Sequence, residues 1–432
     1  MKVLERNVAM TTERMMLQPG VWLNYVHSDR FKTGCFSFNL LMPLAADTAA
    51  PNALIPTVLL RGCEGYPDIQ AISRRLDTLY GATVGTLVRK KGEAQLVGLY
   101  ADFLEDRYSG GEKLFFEMMD FVRSLLFSPL EENGSFVSEF VSSERQNLLN
   151  TIAARVNEKR AYAIHRLLSH MCRGEAYAVP RLGEAATLDQ VNGHSLKARW
   201  DQLLAFSPVE IFYLGQQPKE AVCEALSLFL LRLPDGERPA VPATKVLCPT
   251  RPVQYIQEEM DVTQGKLALG LRTDITADDP RYPAMMLLNA VYGAGMTSKL
   301  FLKIREEQSL CYYANSSVDK FKGVMVVGSG IEFDQYQVAL DGILGQLEAC
   351  KRGEITDEEL ESARRYLLSG LRTGCDSPGR LDDYAVGQAV AGRTGSMEDL
   401  AGQLAAVQRS DVVEAAQTLT LDTVYFLKGV QG

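Results

Sequence analysis

Apolar residues recur along this 432-residue chain in two spacings, one typical of strands and one typical of helices. In the first half, the apolar run at 36–42 predicts a strand, a loop of small and acidic residues follows, and a helix ends at Gly62. In the second half, residues 267–271 predict a strand, and the next helix is expected to start after Asp279 and stop at Gly293. The two halves therefore show the same order of elements.

Superposing Gly62 on Gly293 gives an offset of 231 residues, at which strand, acidic loop and helix coincide. Both halves continue with a strand pair and then with long helices, around 144–171 and 357–371. This repetition predicts a duplication at the scale of a domain. The order of strands and helices indicates an α+β fold, each half being a mainly antiparallel sheet with helices packed on one side.

A proline-rich polar stretch at 234–252 separates the two halves and is typical of a linker. The sequence therefore predicts an N-terminal domain at 1–233 and a C-terminal domain at 253–432.

The segment 292–313 carries the most specific pattern in the chain. It predicts a glycine turn, an amphipathic helix and a strand. Met296, Leu300 and Ile304 recur every fourth residue, so one helical face should pack against the core. Arg305 lies near the expected end of this helix.

This segment resembles the C-terminal half of the pitrilysin (insulinase) family of inverted-zincin metallopeptidases, which includes the mitochondrial processing peptidase subunits. That family carries a run similar to S-R-L-F-x-x-[LI]-R-E-x-x-x-L-x-Y, with an Arg and a Tyr seven residues apart. The matching positions here are Ser298, Lys299, Leu300, Phe301, Ile304, Arg305, Glu306, Leu310 and Tyr312. Lys299 replaces the usual Arg, and Ser309 a usual Gly. The resemblance extends to the whole chain at the level of architecture and implies two domains that close like a clamshell around a chamber.

The resemblance also implies roles for individual residues. Arg305 and Tyr312 would lie across the chamber from a zinc ion and hold the substrate backbone near the scissile bond. A fixed guanidinium and phenol can donate to a carbonyl that becomes an oxyanion. Gly293 and Gly295 are the candidates for the substrate-binding glycine-rich loop. The alternative is an ordinary surface Arg near a helix C-terminus and a strand Tyr packed on its neighbours.

The zinc motif of the family is missing. Catalytic members carry H-x-x-E-H on a helix, because residues i and i+4 share a face and ligate zinc while the Glu serves as the base. No two of the four histidines are four residues apart; they are His27, His165, His170 and His194. At the corresponding helix Ala53 and Thr57 replace the histidines, and Pro56 replaces the base. Glu144 is the nearest candidate for the family's third ligand. No metal is therefore expected in this chain.

In the family, the first domain also offers an edge strand to which the peptide adds. Residues 81–88 occupy that place here. Gly85 and Thr86 stand where active relatives carry an Asn-Ala pair, so peptide addition at this strand is not expected.

Composition narrows the class of protein further. The chain has 45 basic and 54 acidic residues, a net charge of −9, and no long basic block, so nucleic-acid binding is not expected. The eight scattered cysteines form no C-x-x-C and are typical of reduced thiols. Because charged residues interrupt the N-terminal stretch before any long apolar run, we expect a cytoplasmic protein without a membrane-spanning segment.

Together these features favour a non-catalytic subunit of a heterodimeric zinc peptidase. The chain would supply the Arg305 and Tyr312 pair and the glycine-rich loop, and a homologue of similar length carrying H-x-x-E-H would supply the zinc. The alternative is a pseudoenzyme that acts as a binding or assembly subunit without a role in proteolysis. An autonomous zinc peptidase has little support, because the ligands are missing. Whether the isolated chain is a monomer or a homodimer stays open.

Overall fold

A computed structural model describes residues 12–430 of the chain. The strands of the N-terminal half are β1 (Glu13–Gln18), β2 (Val21–His27), β3 (Thr33–Pro43), β4 (Thr83–Lys91), β5 (Ala94–Leu104), β6 (Glu131–Glu132), β7 (Ser135–Phe136) and β8 (Val209–Gly215). Those of the C-terminal half are β9 (Gln254–Met260), β10 (Gly265–Arg272), β11 (Tyr313–Asp319), β12 (Val324–Ile331) and β13 (Thr420–Gly429).

The α-helices of the N-terminal half are α1 (Ala49–Leu59), α2 (Ile69–Thr78), α3 (Leu114–Phe127), α4 (Ser138–Ala153), α5 (Lys159–Met171), α6 (Gly193–Phe206) and α7 (Lys219–Leu230). Those of the C-terminal half are α8 (Tyr282–Asn289), α9 (Tyr336–Lys351), α10 (Asp357–Gly374), α11 (Pro378–Val390), α12 (Met397–Ala406) and α13 (Arg409–Thr418). Two π-helical segments, Ala290–Ala294 and Leu300–Glu307, lie between α8 and β11.

The two main sheets share one topology. The first has the order β1-β2-β8-β3-β5-β4, and the second has the order β11-β12-β10-β13-β9. Read inward from the edge strands β4 and β11, the strands β4, β5, β3, β8 and β2 correspond in order to β11, β12, β10, β13 and β9. In both sheets the last of these pairings is parallel and the others are antiparallel. The α+β fold with antiparallel-rich sheets and packed helices is therefore confirmed.

Each sheet buries one face against helices of its own half. In the first sheet, Phe36, Phe38 and Leu40 alternate inward from β3 and pack on helix residues such as Leu54 and Met118. In the second, alternate residues of β10 and β12 pack on α8, α9 and α13. Alternation with a period of two places these side chains on one face of each strand.

The chain divides into two compact units that are not the two continuous stretches predicted from the sequence. Among the described residues, unit 1 contains 12–153, 179–243 and 377–396, and unit 2 contains 154–178, 244–376 and 397–430. The boundary at 243 falls inside the expected linker. Each unit nevertheless takes one helix from the other half, since α5 belongs to unit 2 and α11 to unit 1. The prolines of the linker mark the place where the chain passes from unit 1 to unit 2. The local sequence patterns of α5 and α11, in contrast, do not reveal which sheet each helix covers.

Apolar burial and buried charges hold α5 in unit 2. Ala163, Leu167 and Met171 on one face of α5 pack on β10 and β13. Just beyond the helix, Glu175 accepts from the buried Arg272 of β10 at 2.7 Å and forms an ion pair with Lys322 at 2.7 Å. These contacts explain why a helix of the N-terminal half is part of this unit.

Helix α11 is fixed to unit 1 by a different set of contacts. The buried Asp382 accepts from the Ser37 hydroxyl at 2.7 Å and from the Arg89 guanidinium. Val386 joins a small apolar cluster with Leu41 and Leu96. These residues cover the face of the first sheet that α1 and α3 leave open.

The stretch at 231–253 contains no helix or strand and is mostly exposed, as expected of a linker. It is nevertheless anchored, because Arg238 donates to the carbonyls of Ser207 and Leu204 at 2.7 and 2.5 Å. Within residues 12–430, no helix combines the length and apolar content needed to cross a bilayer.

Candidate functional site

The helix at the former zinc-motif position is intact but has no metal chemistry. α1 buries Ala53 and Pro56, and the Thr57 hydroxyl donates to the carbonyl of Leu54 at 2.8 Å. The alanine side chain has no atom that can ligate a metal. The proline side chain has no carboxylate or other group that can take up a proton from water. The Thr57 oxygen is already engaged within the helix, so none of the three side chains can replace a histidine or a glutamate base.

Ala53 and Thr57 face a cavity of about 400 Å³ inside unit 1, and Glu144 lines the same cavity. The structure thus brings together the two lost ligand positions and the candidate third ligand. The other lining residues come from β4, α4 and the segment after α5; they are Thr86, Leu87, Val88, Arg89, Asn147, Leu148, Thr151, Arg181 and Leu182.

The Glu144 carboxylate is engaged by a guanidinium. Arg61 Nη1 lies 3.1 Å from Glu144 Oε1, and Asn147 Nδ2 donates to Oε2 at 3.3 Å. Arg61 itself lies 5.3 Å from the Phe140 ring centroid, which fixes its position over α4. The cation that neutralises the Glu144 carboxylate is therefore Arg61, a residue of the same chain.

The histidines do not form a substitute site. In the part of the chain that the structure describes, no group of three or more His, Cys, Asp or Glu side chains could hold a metal ion. His170, near the end of α5, accepts through Nδ1 from the Arg173 guanidinium at 3.1 Å. Burial, together with the charges of Arg166 and Arg173, lowers its pKa. His170 is therefore disfavoured as a cation and surrounded by positive charge.

Strand β4 is the outer strand of its sheet, in line with its expected place. At Gly85 the ring of Tyr100 from β5 lies so close that a Cβ atom would approach its Cε1 within 2.2 Å. A side chain at position 85 is therefore excluded unless Tyr100 moves. This packing gives a physical reason for glycine where active relatives carry asparagine.

The segment with the Arg/Tyr motif adopts π-helical rather than α-helical geometry. Gln308 N donates to the carbonyl of Lys303 at 3.1 Å, a bond of the i to i−5 type. Leu300 and Ile304 are fully buried, as predicted, but Met296 is 77% exposed. The prediction for Met296 was wrong because it lies in the turn before the helix, where helical periodicity does not apply. π-Helical turns are rare and recur at functional sites.

Arg305 lies in the last turn of the π-helix and remains partly exposed. Its guanidinium stacks over the Phe301 ring, with Cζ 4.7 Å from the ring centroid, and Nε lies 3.5 Å from Glu306 Oε1. A guanidinium carries five N–H donors in a fixed plane. Stacking on Phe301 therefore orients the group, and the single long contact with Glu306 engages only one side of it.

The π-helix ends with a residue in the left-handed region. Ser309 has φ +53°, and Leu310 N closes the turn by donating to the carbonyl of Ile304 at 3.0 Å. Glycine adopts this conformation at little cost, which explains why the family usually has glycine here.

Tyr312 precedes β11 and is 58% exposed. Its backbone N–H donates to the carbonyl of Gly330 at 2.9 Å, and its hydroxyl donates to Glu332. This hydrogen bond and the charge of Glu332 raise the pKa of Tyr312. The phenol is thus at the surface, but its proton is directed to a carboxylate of the same unit.

The two glycines of the expected loop differ. Gly293 is buried, and a Cβ atom there would lie 2.5 Å from the Ser316 hydroxyl and 2.7 Å from the Ser316 nitrogen. Its lack of a side chain is explained by close packing on β11. Gly295 is more open, since a Cβ atom there would come no closer than 3.8 Å to the half-exposed Tyr366 ring of α10. Contact between either glycine and a substrate stays a prediction.

Sequence reasoning missed the partners that hold this segment. Lys299 is buried and pairs with Glu359 at 2.8 Å, while Glu359 also closes the capping box of α10 with Thr356. The T-x-x-E pattern signals the start of α10, but it does not reveal the pairing with Lys299. Glu332 was missed as well, since it stands alone after an apolar strand.

The comparisons agree with one family. The model described as "Peptidase M16 inactive domain" matches residues 194–367. The "Probable inactive metalloprotease YmfF" of Bacillus subtilis (strain 168) is 30% identical over 96% of this chain and 97% of that protein. A solved structure of a conserved protein from Enterococcus faecalis V583 has a TM-score of 0.90 at 27% identity and covers 98% of this chain and 99% of its own. The peptidase M16 inactive domain from Pseudomonas fluorescens has a TM-score of 0.77 at 18% identity over 98% of each chain.

Proposed function

The chain belongs to the M16 (pitrilysin-type) peptidase family, and we propose that it is inactive alone and acts as the non-catalytic subunit of a two-chain zinc peptidase. In this proposal a homologue with H-x-x-E-H supplies the zinc and the general base. The present chain supplies Arg305 and Tyr312, which contact the substrate backbone near the scissile bond, and the loop of Gly293 and Gly295.

One contrast between two sites carries the proposal. At the cavity lined by Ala53, Thr57 and Glu144, the two histidine ligands and the glutamate base are missing, and the remaining carboxylate of Glu144 is paired with Arg61. In the other half, two groups stay at the surface: the Arg305 guanidinium, at the end of a π-helical segment, and the Tyr312 phenol, just before β11. A chain under no demand to bind substrate would have no reason to keep this element while losing the first.

Chemistry supports a division of labour between two chains. Hydrolysis of a peptide by a zinc peptidase uses a metal-bound water and a base on one side of the scissile bond, and donors aimed at the developing oxyanion on the other. The groups of the first kind are missing from this chain, whereas Arg305 is a donor of the second kind.

A second candidate is a binding or assembly subunit with no part in proteolysis. It is favoured by the local pairing of both groups, since Arg305 contacts Glu306 and Tyr312 donates to Glu332. Under this alternative the π-helical segment is inherited from a catalytic ancestor and has only a structural role in this chain.

The two candidates differ in a mixing experiment. The purified chain, a homologue that carries H-x-x-E-H and an equimolar mixture of the two are each incubated with a peptide library. The proposal expects no cleavage and no stoichiometric zinc for the chain alone, and cleavage by the mixture well above that of the homologue alone. A mixture that forms a complex but cleaves no faster than the homologue favours the assembly subunit.

A further inference from the structure

Tyr312 is held by its backbone and by its hydroxyl to one short stretch of unit 2, residues 330–332. Its backbone N–H donates to Gly330 at the end of β12, and its hydroxyl donates to Glu332 two residues later. Next to it, the Tyr313 ring lies over Gly330, where a Cβ atom would approach Cε1 within 2.5 Å. Contacts within unit 2 therefore fix the position of the Tyr312 phenol, although the side chain is exposed.

We propose that Glu332 is a positioning residue that takes the only proton of the Tyr312 hydroxyl, so that Tyr312 binds the substrate as a hydrogen-bond acceptor, from a peptide N–H, while Arg305 donates to a peptide carbonyl. This inference rests on the proposed function. It assigns complementary roles to the two residues, whereas the motif alone suggests that both are donors.

The chemistry of the phenol carries the argument. A tyrosine hydroxyl has one proton and can donate one hydrogen bond, and an ionised carboxylate can only accept. Once the proton points to Glu332, the lone pairs of the exposed oxygen are the polar groups that Tyr312 offers to a ligand. A peptide unit carries one donor and one acceptor, so an acceptor from Tyr312 and donors from Arg305 match it better than donors alone.

The position of Glu332 supports its role. Ile331 before it is fully buried and anchors the end of β12, and the Glu332 carbonyl accepts from Gln335 N at 3.2 Å, which fixes the turn that follows. Its backbone is thus rigid although its side chain is exposed. The raised pKa of Tyr312, caused by the hydrogen bond and charge of Glu332, keeps the phenol protonated over the physiological range.

The first test uses the isolated chain and does not depend on proteolysis. Tyrosine labelled with 13C at the ζ carbon is titrated by NMR, with the Tyr312 signal assigned through Tyr312→Phe. Glu332→Ala is expected to lower the pKa of Tyr312 towards that of an ordinary tyrosine. The control Glu306→Gln, which changes a neighbouring carboxylate that does not contact the phenol, is expected to leave it unchanged. An identical Tyr312 titration in wild type and Glu332→Ala overturns the proposal.

The second test uses peptides that the mixture with the zinc-bearing homologue cleaves, each N-methylated in turn at the amides flanking the scissile bond. One N-methylation is expected to reduce kcat/KM by about 10-fold in wild type, since it removes the donor to Tyr312, and to have little further effect in Tyr312→Phe. Equal losses in both proteins overturn the acceptor role. If no mixture cleaves any peptide, the proposed function fails, and the titration still decides whether Glu332 holds the proton.

Discussion

Unit 1 and unit 2 share a strand order but differ at corresponding positions in the element that follows the first helix. With the 231-residue offset, α2 in unit 1 corresponds to the π-helix Leu300–Glu307 in unit 2. Arg74 then corresponds to Arg305, and Gly81 to Tyr312. The sheet scaffold has therefore been kept in both copies, while the helix geometry and the chemical groups have been kept or acquired in only one.

Both elements are followed by a residue with a positive φ, although not at corresponding positions. Tyr80 after α2 has φ +60°, and Ser309 after the π-helix has φ +53°. A bond from Gly81 N to the carbonyl of Leu76 closes the first turn, and one from Leu310 N to Ile304 closes the second. The first bond spans five residues and the second six, so the two ends are similar in backbone conformation but differ in register and in hydrogen bonding.

The two units also differ in how they hold the helix taken from the other half. Unit 2 fixes the chain after α5 with the buried pairs of Arg272 to Glu175 and Asp422, at 2.7 and 2.9 Å. Unit 1 fixes α11 through Asp382, with Arg89 and Ser37 as partners. The following changes test that difference, and they are ordered by expected effect.

The largest effect is expected for Arg272→Met. The Arg272 side chain is 2% exposed, and its loss leaves Glu175 and Asp422 buried with fewer partners. Breaking a buried ion pair on one side costs about 3–5 kcal/mol in the free energy of unfolding. Urea unfolding measures this cost. Arg251→Met is the matched control, because Arg251 also pairs with Asp422 but is partly exposed, and its loss should cost much less. Equal costs for both variants contradict the account.

A somewhat smaller effect is expected for Asp382→Ala in unit 1. The variant removes the acceptor of the Ser37 hydroxyl and the partner of Arg89, with an expected cost of about 2–3 kcal/mol. Asp383→Ala is the control, since Asp383 pairs with Lys91 but is largely exposed, and such pairs contribute about 0–1 kcal/mol. Thermal unfolding of both variants would reveal the difference. Indistinguishable melting temperatures would mean that α11 is held by its apolar contacts alone.

Acid should destabilise unit 2 through the contacts of α5. Burial opposes ionisation of Glu258, but hydrogen bonds from Tyr162, Tyr425 and Arg166 outweigh it and lower its pKa. A carboxyl whose pKa is lowered by folding contributes stability above its unfolded value of about 4.3, and this contribution is lost as the pH falls through the folded value. Glu258→Gln should therefore lower the melting temperature at pH 7 and flatten its decline below pH 4.3. A parallel decline in both proteins contradicts this.

The smallest effect is expected for Ser309→Gly. Glycine removes the energetic cost of the positive φ at this position, but it also increases the conformational entropy of the unfolded chain. The free energy of unfolding should therefore rise by about 0.5–1 kcal/mol. Thermal unfolding with Ser317→Gly as the control, at an exposed strand position without positive φ, separates the two effects. The control should be destabilised. A loss of stability in Ser309→Gly would show that the turn is not strained.

The sequence allowed much of this architecture to be predicted, for reasons visible in particular residues. The apolar runs in β3 and β10 and the helices after them repeat at a fixed offset, so the duplication was detectable. The exchange of α5 and α11 was not, because Leu167 and Val386 are core residues whichever sheet they cover. Local periodicity reports that a helix has a buried face and does not report what buries it.

At the site, residue identity could be predicted and geometry could not. The absence of ligands at Ala53, Pro56 and Thr57 is plain in the sequence, whereas the pairing of Arg61 with Glu144 depends on packing between α1 and α4. Likewise the spacing of Arg305 and Tyr312 was visible, but the π-helix and the bond to Glu332 were not. Contacts between residues that are far apart in the sequence, such as Tyr312 and Glu332, depend on the tertiary fold and cannot be predicted from a local pattern.

The central claim is that Arg305 acts in catalysis by a complex and that its counterpart in unit 1 does not. The most direct measurement compares Arg305→Ala with Arg74→Ala, both exposed at corresponding positions, in a mixture with the zinc-bearing homologue. The account predicts unchanged melting temperature and assembly for both variants. It predicts that kcat/KM falls by about 100-fold, roughly 2.7 kcal/mol, for Arg305→Ala and stays within about 2-fold for Arg74→Ala. Undiminished cleavage by a normally assembled Arg305→Ala complex would contradict the claim.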